Sequence, residues 1–200
     1  MVDLQLRARG LDDERVLAAM ERVPRELFVP AELREHAYAD AALPIGADQT
    51  ISQPYMVARI CAELQLRGGE KVLDIGTGSG YQAAVLAELG AEVHSLERIP
   101  ALADRARAAL EAAGYSDRVQ VDVADGTLGL PVEAPFEGIA VAAAAREPPP
   151  ALLEQLAPGG RLVIPIGPPH QQFLRVYVQT PEGAAGFAAL PCRFVPLVRG

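Results

Sequence analysis

The chain has 200 residues, half of them hydrophobic and 22% charged, enough to bury one core without disulfides or metals and too apolar for intrinsic disorder. Lys+Arg 18 against Asp+Glu 26 gives a formal charge of −8, which lacks the basic footprint of a nucleic-acid binder and disfavours a polynucleotide partner. No apolar run reaches the roughly 18 residues of a membrane span, and MVDLQLRARG lacks the apolar centre of a signal peptide, so a cytoplasmic protein is expected, most simply a monomer.

Leu11, Val16, Leu17, Met20 and Val23 recur at helical spacing behind Asp12 or Asp13 as cap, and Pro24 stops that helix, with a second short helix expected after it. Ala41 to Tyr55 holds Pro44, Gly46 and Pro54 without a sustained period and reads as a long ordered loop of the kind that binds something. Val57, Ile60, Cys61 and Leu64 predict a helix over Met56 to Leu66, ended by Arg67, Gly68 and Gly69. Strands at Lys71 to Ile75, Glu92 to Glu97, Val119 to Val123 and Gly138 to Val141 then alternate with helices ending at Leu89 and spanning Pro100 to Ala113. That alternation predicts an α/β fold, a doubly wound and mostly parallel sheet whose strand carboxyl ends share one rim. A short helix follows Pro148 to Pro150 and runs through Leu156, before the turn Pro158, Gly159, Gly160 and a strand at Arg161 to Ile166. Phe173 to Gln179 and Phe187 to Val195 complete the chain as antiparallel edge strands. One domain, 1–200, is expected, with N-terminal helices and a binding loop (1–69), a cofactor core (70–166) and C-terminal strands (167–200).

The segment VLDIGTGSGYQ, Val72 to Gln82, runs from a buried strand into a helix. Gly76, Gly78 and Gly80 allow a sharp turn and close ligand approach, and the following helix offers free N–H groups. Glu97 ends the next strand, where a carboxylate can accept both hydroxyls of a ribose. A dinucleotide fingerprint would want its third glycine at position 81, which is Tyr81. With Asp74 before the loop, the pattern suits S-adenosylmethionine, and a nicotinamide cofactor is the rival. Cys61 and Cys192 stand far apart and read as buried thiols rather than a disulfide or zinc site. His36, His94 and His170 share no ligand spacing, so no metal is expected. Arg98 reads as a solvent-exposed neighbour of Glu97.

Beyond the loop, the chain resembles the protein-L-isoaspartate O-methyltransferase family over nearly its whole length. The resemblance is carried by VPRE with FVP (Val23 to Pro30), LPIG (Leu43 to Gly46), QTISQPYMVA (Gln49 to Ala58), IGTGSGYQAAVL (Ile75 to Leu86), GGRLV (Gly159 to Val163) and FVPL (Phe194 to Leu197). It implies a Rossmann-like methyltransferase fold and methyl transfer from S-adenosylmethionine, leaving S-adenosylhomocysteine, to the free α-carboxylate of L-isoaspartyl residues in damaged proteins and peptides. By the same resemblance Ser52 positions that carboxylate as the catalytic residue. Thr50, Asp74, Gly76, Thr77, Gly78, Ser79, Gly80, Glu97, Asp125, Gly126 and Gln172 would hold the cofactor, with Asp125 near the adenine amino group. Leu43, Pro44, Ile45, Val141, Ala142 and Ala143 would flank the peptide. The sequence departs from the family pattern at Asp48, Ala124, Glu137 and Ala142, and the first and last of these bear on substrate contacts. Rival readings are a small-molecule methyltransferase, a nicotinamide oxidoreductase and a non-catalytic adenosyl-ligand sensor.

Overall fold

The structure, a computed structural model, describes residues 1–199. Helical turns at Val2–Leu6 and Arg7–Arg9 precede helix α1 (Glu14–Arg22). Asp13 caps α1 by accepting from the Arg15 and Val16 N–H groups, one of the two residues expected in that role. Val23, extended because Pro24 follows it, ends the helix. The second helix expected there is instead a pair of short 3-10 turns, Arg25–Phe28 and Ala31–His36, because Pro24 and Pro30 each restart the chain before a full α-turn can repeat.

The expected loop from Ala41 to Tyr55 contains a hairpin, β1 (Leu43–Gly46) and β2 (Gln49–Ile51), paired antiparallel. Its turn residues Ala47 and Asp48 have φ of 52° and 54°, the pair of positive values a tight two-residue turn demands. Neither residue advertises that turn as Asn-Gly does, which is why the hairpin escapes the sequence. Helix α2 (Pro54–Leu64) begins with Pro54 in its first turn and ends at Gln65 in the left-handed conformation, φ 55°, rather than at Gly68. Gly68 and Gly69 make the turn into the sheet, where the Gly69 N–H donates to Gly90 O at 2.8 Å.

The main sheet comprises β3 (Lys71–Ile75), β4 (Glu92–Glu97), β5 (Val119–Val123), β6 (Phe136–Val141), β7 (Leu156–Ile166), β8 (Gln172–Thr180) and β9 (Gly183–Cys192). Helices α3 (Tyr81–Glu88), α4 (Pro100–Ala112) and α5 (Pro150–Glu154) connect them. The strand order is β5-β4-β3-β6-β7-β8-β9, parallel from β5 to β7 and antiparallel thereafter. Right-handed crossovers on the two sides of β3 put α3 and α4 on one face and α5 on the other. Val72, Val93, Val121, Ala140 and Val163 feed the core under α1 to α4, whereas Leu73, Ile75, Leu96, Ile139 and Leu162 feed a second core with Leu152 of α5. The doubly wound, mostly parallel architecture is therefore as expected. The last strand is shifted: it starts at Gly183 and ends at Cys192, not Phe187 to Val195, since its register follows a short turn from Thr180. Likewise α5 stops at Glu154 and β7 begins at Leu156. No helix among the described residues is long and apolar enough to cross a membrane.

Candidate active site

At the carboxyl end of β3 the chain turns away from the sheet. The Gly76 and Thr77 N–H groups both donate to Leu96 O, at 2.9 and 3.2 Å, docking the loop on β4. Gly76 and Gly78 have φ of 87° and 56°, a region that side chains disfavour. A Cβ on Gly76 would stand 3.6 Å from the Ala142 Cβ, so the missing side chain keeps the gap between loop and β6 open. Glu97, only 6% exposed, accepts from the Gly78 N–H through Oε2 at 2.9 Å and from the Ile99 N–H through Oε1 at 3.0 Å. These bonds fix the carboxylate at the mouth of the loop while leaving lone pairs for a ligand.

The loop, Glu97, Gly126 and the segment Thr50 to Ser52 line one cleft, the concave kind of site that small molecules occupy. Ala142 and Ala143 form a further wall. The Ser52 carbonyl is held by Arg25 at 2.7 Å, and among the described residues no group takes the serine hydroxyl. A second groove, lined by Thr50, Ser52, Gln53, Met56, Ala142 and Arg193 among others, opens beside the first. Ser52, Thr50 and Ala142 face both spaces, as a group standing between donor and acceptor must.

Several expected contacts fall elsewhere. Asp74 is fully buried beneath the loop, its oxygens accepting from Gln82 Nε2 at 2.8 Å and Ser95 Oγ at 2.6 Å. Burial raises its pKa from 3.8 to about 6 against the opposing effect of those two donors; it supports the cleft floor and does not line the cleft. Gly80 turns its Cα toward α4, where a Cβ would meet Leu110 and Ala106 at 3.3 and 3.4 Å. Asp125 caps the short turn after it, accepting from the N–H and hydroxyl of Thr127 at 2.8 and 2.7 Å; its neighbour Gly126 is the one lining the cleft. Gln172 lines a different groove, and its amide is used on the Phe194 backbone, accepting at 2.7 Å and donating at 3.3 Å. Leu43 and Pro44 lie on β1, outside the cleft wall made by β2. Ile45 is buried and lines a groove on the other side of the glycine loop. Val141 points into the second core.

The structure adds residues that the sequence leaves unassigned. Val195 to Val198 line the cleft as a strap outside the sheet, with the Ala144 N–H donating to Val195 O at 2.8 Å and the Leu197 N–H to Ala144 O at 2.7 Å. The FVPL stretch marks the strap, but no periodicity reveals where it goes. Tyr81, Gln82 and Arg98 also line the cleft. Gly126 is required by space: a Cβ there would lie 2.4 Å from Ile75 Cγ2. Gly126→Ala should therefore lower unfolding stability by about 1–3 kcal/mol through overpacking, measured by urea titration.

The profile of the protein-L-isoaspartate(D-aspartate) O-methyltransferase family matches residues 1–200. A protein-L-isoaspartate O-methyltransferase of Methanoculleus marisnigri is 52% identical over 99% of this chain and 90% of its own. Protein-L-isoaspartate O-methyltransferase 1 of Syntrophobacter fumaroxidans is 54% identical over 99% and 92%. Among solved structures, a putative protein-L-isoaspartate O-methyltransferase from Plasmodium falciparum, in complex with S-adenosyl-L-homocysteine, is 26% identical and superposes with a TM-score of 0.85 over 100% of this chain and 97% of that one.

Proposed function

The chain belongs to the protein-L-isoaspartate(D-aspartate) O-methyltransferase family, and from that premise we propose how its residues divide the work of the reaction. It moves a methyl group from S-adenosylmethionine to the free α-carboxylate of L-isoaspartyl residues in damaged proteins and peptides. The residues present fit the donor: the glycine-kept gap accepts a ligand against the backbone, and Glu97 offers a fixed carboxylate to a sugar diol. When bound, S-adenosylmethionine supplies an electrophilic methyl on a cationic sulfur.

The acceptor carboxylate is already ionised at neutral pH, so no general base is needed. The chain's task is alignment and exclusion of water, effects worth on the order of 7–11 kcal/mol when geometry is well held. In our reading Glu97 holds the ribose and Gly76 to Ser79 take the methionine end. Gly126, with Asp125 behind it, borders the adenine. The strap at Val195 to Val198 covers the cleft from water. Ser52 donates its hydroxyl hydrogen to one oxygen of the isoaspartyl carboxylate, leaving the other in line with the methyl. A new O–CH3 bond forms as the CH3–S bond breaks, with its electron pair remaining on sulfur. The following backbone amide nitrogen then attacks the ester carbonyl, its proton and the methoxy group leaving as methanol, and hydrolysis of the resulting succinimide returns some normal aspartate.

The observation that supports this reading is that Ser52, the glycine loop and Glu97 line one cleft in one chain. One domain, 1–200, working as a monomer in the cytoplasm is the simplest form of this reading, and the formal charge of −8 weighs against a nucleic-acid partner. Methyl transfer to an isoaspartyl peptide should far exceed transfer to its normal aspartyl twin, and equal rates would sink the reading. Ser52→Ala removes one hydrogen bond to a charged group, worth about 1.5–3 kcal/mol. The expected kcat is therefore roughly 10- to 100-fold lower, with S-adenosylhomocysteine affinity nearly unchanged in calorimetry.

A further inference from the structure

Arg25 has no exposed surface, and among the described residues no carboxylate is one of the groups acting on its charge. The guanidinium meets two carbonyls instead: Nε–H donates to Ala37 O and Nη2–H to Ser52 O, both at 2.7 Å. Its Cζ lies 4.7 Å from the ring centroid of Tyr81, the first residue of α3 and itself part of the cleft wall. Among the described residues Nη1 has no hydrogen-bond partner. A buried cation with an unused donor is a poor way to fill space, since an apolar side chain of similar volume would avoid the desolvation cost. What arginine provides here is direction, because a planar guanidinium presents donors at fixed angles and a flat face for an aromatic ring.

The contacts join Arg25, in the turn after α1, to three other stretches: Ala37 past the second 3-10 turn, the Ser52 segment between β2 and α2, and the start of α3 directly behind the glycine loop. We propose that Arg25 is the positioning residue for Ser52, clamping its carbonyl and stacking on Tyr81 so that the serine hydroxyl keeps a fixed distance from the glycine loop. The proposal rests on the role given to Ser52 above. Arg25 acts through the serine backbone and touches no reacting atom.

A double-mutant cycle with Ser52→Ala tests it, reading kcat on an isoaspartyl peptide and S-adenosylhomocysteine affinity by calorimetry. Arg25→Lys keeps the charge and loses the fork, so kcat should fall at least tenfold with cofactor affinity within twofold. In the Ser52→Ala background the same change should cost less than twofold. An equal loss in both backgrounds overturns the proposal, as does an Arg25→Lys enzyme with native turnover, which would mean that charge alone suffices. Should Arg25→Lys fail to fold, Arg25→Gln enters the same cycle, since a neutral amide can reach one of the carbonyls without burying a charge. A native rate in Ser52→Ala alone removes the serine reading and the proposal together. A slow Ser52→Ala on which the Arg25 change still costs tenfold removes the proposal only.

Discussion

Glu97→Ala should bind S-adenosylhomocysteine at least about a hundredfold more weakly than the native chain. The carboxylate is held by the Gly78 and Ile99 N–H groups, one on each oxygen, and an ionised carboxylate has roughly four acceptor positions. Two remain for the vicinal hydroxyls of the ribose. Each such charge-assisted bond contributes about 1.5–3 kcal/mol, so losing both costs roughly 3–6 kcal/mol. The truncation also frees the Gly78 N–H, which donates to that carboxylate in the native loop. Glu97→Gln should fall between, since the amide keeps one acceptor oxygen but turns an NH2 toward one of the two backbone donors. Calorimetry on folded variants decides: a Glu97→Ala affinity within threefold of native would mean that the sugar is held elsewhere.

The parts of this fold legible in the sequence are those where one local pattern suffices. β3, β4 and β5 have the bounds expected of them, because each is a short segment carrying Val or Leu and set off from the preceding helix by a glycine, Gly69, Gly90 or Gly114. What the sequence obscured was direction. Asp74 stands beside the glycine loop in the chain, yet strand alternation sends it to the same face as Val72, under α3, where Gln82 and Ser95 receive it. Val141 shares its face with Ile139 in the second core, and only the next residue, Ala142, reaches the rim. Both placements follow from parity, a signal that the order of residues along a strand itself carries. Gln172, the strap it anchors and the Arg25 clamp are different. They depend on contacts between stretches 22 and 27 residues apart, which no window of sequence contains.

The buried position of Asp74 has a consequence for stability that can be measured without any ligand. Its carboxyl holds a proton more tightly folded, with pKa about 6, than its ordinary 3.8, chiefly because burial penalises the charge. Between those two values the native state binds more protons than the unfolded state, so unfolding free energy falls as pH rises through about 4 to 6 and the loss is complete above it. At 1.36 kcal/mol per pH unit, this amounts to about 3 kcal/mol. Asp74→Asn cannot ionise. Its Oδ1 can still accept from Gln82, and its Nδ2 can donate to Ser95 if that hydroxyl turns to donate to Thr77, whose Oγ1 already lies 2.6 Å away. The hydrogen-bonded row survives with its direction reversed. Urea titrations at pH 4 and pH 7 should therefore show native stability falling by up to about 3 kcal/mol more than that of Asp74→Asn over this interval. The reversal reaches the cleft, which Thr77 lines: its oxygen now accepts from Ser95, leaving its own hydroxyl hydrogen without the Ser95 acceptor it has in the native chain. Asp74→Asn should thus gain stability at neutral pH while losing cofactor affinity, and identical pH slopes in the two proteins would show that the native carboxyl ionises without penalty.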